Sequence, residues 1–206
     1  MTGSTVFRRP GDWRTLLLLL VTVLLFAGCS RDGQLVGLDL ESTPAPDFKL
    51  TDHNGNPVAL SDLRGKPVVL TFLYTSCADT CPLITNKLAQ VHDEFGERAR
   101  EIAFVIVSVD PQRDTVERAR EYLSERGWQD KVVYLTGKQA ELEPVWKDYH
   151  MGVIKMPPEK GAGGYYEVAH QDALYVIDKA GRERALMRQD FAPADLARNL
   201  QALLRE

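Results

Sequence analysis

Two cysteines, Cys77 and Cys81, stand four residues apart in the run Tyr74-Thr75-Ser76-Cys77-Ala78-Asp79-Thr80-Cys81-Pro82. If this stretch opens a helix, positions i and i+4 share a face and lie about 5–6 Å apart at Cβ. One soft metal ion could bridge two thiolates at that separation. A disulfide could close across it with modest adjustment. Spacing alone leaves both chemistries open. The chain has 3 cysteines, an odd count that leaves one outside any internal pair.

The third, Cys29, sits at the end of a distinctive amino terminus. Arg8, Arg9 and Arg14 give a positive start, and Leu16 to Phe26 is apolar apart from Thr22. Small residues then precede Cys29. This is the three-part layout of an export signal, and the apolar run is well short of the roughly 20 residues a spanning helix needs. Leu25-Phe26-Ala27-Gly28-Cys29 resembles a bacterial lipobox. That resemblance implies cleavage before Cys29, lipid on its sulfur, and a domain outside the cytoplasm, on the periplasmic side of a bacterial membrane. An uncleaved signal anchor with a buried cysteine is the other reading. The expected organisation is a signal peptide over residues 1–28, a lipidated start and tether over 29–46, and one domain over 47–206. The 206 residues, 44% hydrophobic and 26% charged, suit one domain with a sizeable core. A net charge of −4 gives no basic footprint for nucleic acid, and an acidic domain is not held to anionic lipid by its own charge. With Cys29 given to lipid, Cys77 and Cys81 remain as a pair. Outside the cytoplasm such a pair oxidises unless a metal or a dedicated reductant protects it.

Strand and helix patterns alternate along the domain. Gly33, Gly37, Pro44 and Pro46 argue against a long regular element before it. Asp47–Thr51 and Val58–Leu60 flank Asn54-Gly55, a hairpin signal. Val68–Tyr74 and Ile102–Val109 are short apolar runs suited to buried strands, as is Lys131–Leu135. Helical spacing covers Pro82–Phe95, with Pro82 in the first turn, then Thr115–Arg126 and Lys138–Tyr149, the last containing Pro144. Met151–Val168 reads as an irregular, hairpin-like insertion. Ala173–Asp178 reads as a strand, and Pro193–Arg205 as a closing amphipathic helix with Leu196, Leu200 and Leu203 or Leu204 inward. The expected fold is α/β, a central sheet flanked by helices. Cysteines in the loop after a buried strand, at a helix amino terminus, are what a thioredoxin-like arrangement supplies. The helix dipole there should favour thiolate.

Three stretches together resemble the Sco/SenC family: Tyr74 to Leu83 (YTSCADTCPL), Ser108 to Thr115 (SVDPQRDT) and His170 to Asp178 (HQDALYVID). The resemblance runs from about Phe48 to the carboxyl terminus. It implies a thioredoxin-like copper protein in which Cys77, Cys81 and His170 bind one copper ion, as Cu(I), Cu(II) or both. It further implies a membrane-anchored metallochaperone, not an enzyme in the turnover sense. Such a protein delivers copper to the dinuclear site of cytochrome c oxidase, with the copper-binding oxidase subunit as partner and an upstream copper donor behind it. Gln171 departs from the serine often found after the family's histidine. Two thiolates and an imidazole are a soft set suited to Cu(I), although zinc could use the same ligands.

The alternative of a different class is a thiol-disulfide oxidoreductase that uses Cys77 and Cys81 as a redox disulfide to reduce the recipient's cysteines. The three-residue gap in the pair differs from the usual Cys-x-x-Cys, and no proline dipeptide precedes the last core strand. A peroxidase fits poorly, because Thr75 stands two residues before Cys77, not three. A merely structural disulfide is the bland reading. Among other candidates, His53 reads as solvated beside its turn, His92 as mid-helix and His150 as a helix-end cation. Asp110 reads as turn-forming, Asp114 as a helix cap, and Asp79 as solvated or capping. Met151 and Met156 read as packing residues, and Tyr165-Tyr166 as part of a half-buried hairpin.

Overall fold

The structure is a computed structural model and describes residues 34–78, 80–158 and 165–206. The chain divides into Met1–Gln34 and Leu35–Glu206, and every element below lies in the second unit. The signal segment, Cys29 and Asp79 lie outside the described residues. In chain order the strands are β1 (Leu38–Pro44), β2 (Lys49–Asp52), β3 (Pro57–Ala59), β4 (Val68–Leu73), β5 (Ala103–Ser108), β6 (Val133–Thr136), β7 (Ile154–Lys155), β8 (Val168–Ala169), β9 (Ala173–Ile177) and β10 (Arg182–Arg188). The α-helices are α1 (Thr80–Phe95), α2 (Val116–Ser124), α3 (Gln139–Asp148) and α4 (Pro193–Arg205).

The apolar runs of β4 and β5 lack the alternation of a half-exposed strand, and every residue of both is buried. They pair in parallel, with β6 parallel beside β5. Parallel neighbours need long crossovers, and α1 and α2 supply them. The other side of β4 takes β9 antiparallel, then β10, so the sheet order is β1-β10-β9-β4-β5-β6-β2-β3. The Asn54-Gly55 signal forms the β2–β3 hairpin, which caps the β6 edge. Leu196, Leu200 and Leu203 of α4 are fully buried, and α4 packs against α1. Helix α3 runs through Pro144 without breaking. Among the described residues, no helix is long and apolar enough to cross a membrane.

Two elements differ from the sequence reading. Residues 38–44, read as tether, form edge strand β1 on β10, with a bulge between Asp39 and Thr43. The bulge lets Glu41 and Ser42 take positive φ while the strand on each side keeps its pairing. Gly37, read as a breaker, is needed for close approach: at φ +122° a Cβ there would meet Leu186 O at 2.7 Å. Just before it, the buried Asn199 of α4 accepts from Val36 N at 2.7 Å and donates to Val36 O at 2.8 Å. These bonds hold the segment in the fold although its composition is that of a linker. β10 was hidden for a simpler reason: Arg182-Glu183-Arg184 puts charge where a strand pattern expects apolar residues.

Candidate metal centre

Sheet register brings the three motifs together. Leu73 at the end of β4 pairs with Ser108 at the end of β5. The cysteine loop and the loop after Ser108 therefore leave the carboxyl edge of the parallel strands side by side, the usual place for a site in an open α/β sheet. Strand β9 runs the other way, with Leu174 opposite Thr71, so it begins at this same edge. His170 stands just before it. The insertion folds as the short antiparallel pair β7–β8 and also ends there.

Cys77, Tyr74, Met156, His170 and Asp172 line one cavity of about 220 Å³. The His170 ring meets Tyr74 edge to face, centroids 6.0 Å apart. The imidazole is only 5% exposed, and its Nδ1 lies 3.0 Å from Gln171 O and 3.8 Å from an Asp172 carboxylate oxygen. A carbonyl oxygen can only accept, so Nδ1 carries the hydrogen and the Nε2 lone pair is left for a ligand. His53, His92 and His150 are not among the cavity's lining residues.

Cys77 is half-buried, whereas Cys81 is 1% exposed in the first turn of α1. Both stand as thiols, and Cys81 N donates to Cys77 Sγ at 3.4 Å. The dipole expectation is not met at Cys81. Its hydrogen bond to Cys77, then its burial, push its pKa up. A metal would have to displace that proton, as thiolate ligation always does. Cys77 and His170 thus share a cavity, while Cys81 is tied to Cys77 from below. Among the described residues, no three His, Cys, Asp or Glu side chains stand close enough to hold one ion as they are.

Supports around the cavity went largely unread in the sequence. Asp114 is not the helix cap. Thr115 is, accepting from Arg118 N at 3.2 Å. Asp114 is instead fully buried, and its carboxylate accepts from Thr75 N (3.0 Å), Thr75 Oγ1 (2.6 Å), Ser108 Oγ (2.6 Å) and Tyr134 Oη (2.7 Å). It ties the start of the cysteine loop to β5 and β6. Burial raises its pKa against those four donors. Asp110 does more than turn the chain: it accepts from Arg113 Nε and from Tyr166 Oη. The Arg113 guanidinium lies 3.8 Å from the Tyr166 ring centre and 5.5 Å from that of Tyr74. Tyr165 Oη donates to Ser76 O at 2.7 Å. Tyr165 therefore clasps the insertion onto the cysteine loop, and Tyr166 clasps it onto the loop after β5. Gln171 accepts from Gly152 N, pinning the insertion's start beside His170. His53, read as solvated, is 4% exposed and takes Tyr134 N at Nδ1.

The fold and the site define a class: a thioredoxin-like α/β domain with a cysteine pair where α1 begins and a histidine across the cavity from it. Comparison with known proteins carries this further. The SCO1/SenC family model matches residues 39–205, and the chain belongs to that family. A SCO2-like protein of Rickettsia prowazekii, RP587, is 30% identical over 135 residues, covering 66% of this chain and 64% of the relative's length. Copper-bound ScoI of Bradyrhizobium japonicum superposes with a TM-score of 0.70 at 30% identity, covering 78% of this chain and 99% of that one. A SCO1/SenC family lipoprotein of Bacillus anthracis superposes at 0.67 and 26% identity, covering 79% and 96%.

Proposed function

We propose that this chain is a copper metallochaperone in which Cys77, Cys81 and His170 bind one copper ion. The family comprises copper-binding proteins of cytochrome c oxidase assembly. The observation that carries the reading is the shared cavity: a thiol and an imidazole with its Nε2 lone pair available face the same space, with a second thiol bonded to the first. Soft sulfur and imidazole donors select Cu(I) over hard cations. The copper bound to the Bradyrhizobium relative supports the choice of metal. As cargo, copper would be passed by ligand exchange to the dinuclear site of the oxidase's copper-binding subunit, after arriving from an upstream donor. Lipid on Cys29 would hold the domain at the outer side of a bacterial membrane, a reading supported by the lipoprotein relative.

Anaerobic Cu(I) titration of the full chain in mild detergent tests this. The expected result is one copper per chain, with severe weakening in Cys77→Ser, Cys81→Ser and His170→Ala. Unchanged binding in His170→Ala would remove the imidazole from the site.

The second reading, a thiol-disulfide oxidoreductase acting on the recipient's cysteines, is favoured by the contact between the paired thiols. It needs the cysteines and not the imidazole. His170→Ala should leave thiol-disulfide exchange intact while copper is lost, so the same variant separates the two roles.

A further inference from the structure

The described residues hold three methionines, and they differ in kind. Met151 is 7% exposed and Met187 3% exposed, both within the core. Met156 is 44% exposed, and it is one of the residues that line the cavity shared by Cys77 and His170. Its backbone N donates to Glu167 O at 2.8 Å, continuing the β7–β8 pairing, so its place at the cavity is set by the ladder. A packing role accounts for the two buried methionines and does not account for this one. A thioether is a soft, uncharged ligand that suits Cu(I).

The proposed set of ligands also poses a problem of order. Cys81 is 1% exposed, so it cannot be the first sulfur an incoming ion meets. Cys77 is half-buried. Met156 is the sulfur most open to solvent on this cavity.

We propose that the Met156 thioether is the outer ligand through which Cu(I) enters and leaves the site; this rests on the copper-binding reading above. On entry, Met156 Sδ and Cys77 Sγ replace the ligands of the ion's carrier, and the Cys77 thiol gives its proton to water as its Cu–S bond forms. The Cys81 thiol then gives its proton to water, Cu–S and Cu–N bonds to Cys81 and to His170 Nε2 form, and the Cu–S bond to Met156 breaks. Copper stays Cu(I) throughout and no electron moves. Exit runs the same steps backwards, with Met156 holding the ion while the recipient's ligand approaches. Met156 is thus a kinetic ligand, absent from the resting set.

The test measures rate and affinity separately. The full chain loaded with Cu(I) is mixed anaerobically with a chromogenic Cu(I) chelator in a stopped-flow instrument, and equilibrium affinity is measured by competition with the same chelator. Met156→Leu should keep its affinity within about three-fold of the parent. Its uptake and release should both slow by about ten-fold or more, the scale of losing a group that serves a metal site. Met151→Leu, which removes a buried methionine, should leave both rates unchanged, and Met156→His, which restores a copper-binding side chain, should recover them. Parental exchange rates in Met156→Leu would overturn the assignment. A large loss of equilibrium affinity would overturn it too, because Met156 would then be a resident ligand. A parent chain that takes up no Cu(I) would sink the copper reading and this assignment with it, whereas a parent that loads normally beside an equally fast Met156→Leu sinks this assignment alone.

Discussion

Replacing Asp114 by alanine removes an acceptor that four buried donors share. A hydrogen bond to a charged group contributes about 1.5–3 kcal/mol, and a buried donor left without a partner costs about 1–3 kcal/mol. The four losses do not simply add. Tyr134 Oη lies 3.4 Å from Leu73 O and can turn to it, and a water can enter the space left by the carboxylate. Thr75 N has no such freedom, because it is backbone. A net cost of about 3–5 kcal/mol follows. For a domain of this size, about 2–4 °C of Tm per kcal/mol converts this to a fall of roughly 6–20 °C. Asp114→Asn keeps one acceptor oxygen and should cost about 1–2 kcal/mol. Urea titration of parent and both variants measures this directly. The pH dependence has a definite sign. Burial holds the Asp114 pKa above the ordinary carboxylate value, so in the acid range the folded chain binds a proton that the unfolded chain releases. This contribution to stability is complete below about pH 4 and declines as pH rises through the raised value. The stability of the parent relative to Asp114→Asn should therefore fall from about pH 4 towards neutrality. An alanine variant within about 1 kcal/mol of the parent would show that the four contacts do not act as a hub.

Two further outcomes follow from the site. In the copper-free, reduced chain, iodoacetamide should modify half-buried Cys77 at least about ten-fold faster than buried Cys81; peptide mapping by mass spectrometry reads the order, and equal rates would mean that Cys81 is open to solvent. Arg113→Gln removes the cation that Tyr74 and Tyr166 enclose and the ion pair with Asp110, and should weaken Cu(I) binding by about 10–100-fold; the same Cu(I) competition assay reads the loss, and parental affinity would show that the clasp does not position His170.

The fold was legible where pattern and packing agree. Unbroken apolar runs gave β4 and β5 because both faces of those strands are covered, and no polar residue need alternate there. Asn54-Gly55 gave the β2–β3 turn because few other pairs accept its backbone angles. β1 escaped because its place is set by β10 and by Asn199, which is 163 residues away in the chain from Val36. No local pattern reports a partner at that distance. Asp114 escaped for a related reason. A carboxylate before a helix starting with threonine looks like a cap in one dimension, and only the parallel register of β4 and β5 shows that it points inward to Thr75 and Ser108.

The same contrast applies within the site. Residue type drew attention to Cys77 and Cys81, but among the chain's 4 histidines it was the resemblance to the Sco/SenC family that nominated His170. The residues packed around them are of unremarkable types: two aspartates, an arginine, two tyrosines and a glutamine. Their role lies in contacts between segments far apart in sequence, such as Tyr165 with Ser76 and Tyr166 with Asp110. These contacts join the insertion that precedes His170 to the loop that carries Cys77 and to the loop after β5, and none of them belongs to the sheet. Cys81 stands on a helix fixed by the core, with Cys77 in the loop before it, whereas His170 stands between β8 and β9, next to an insertion held by side chains. A site that must take up an ion and then give it away needs one ligand that can withdraw at small cost. On the proposed copper reading, substitutions in the side-chain clasp should change release before they change folding.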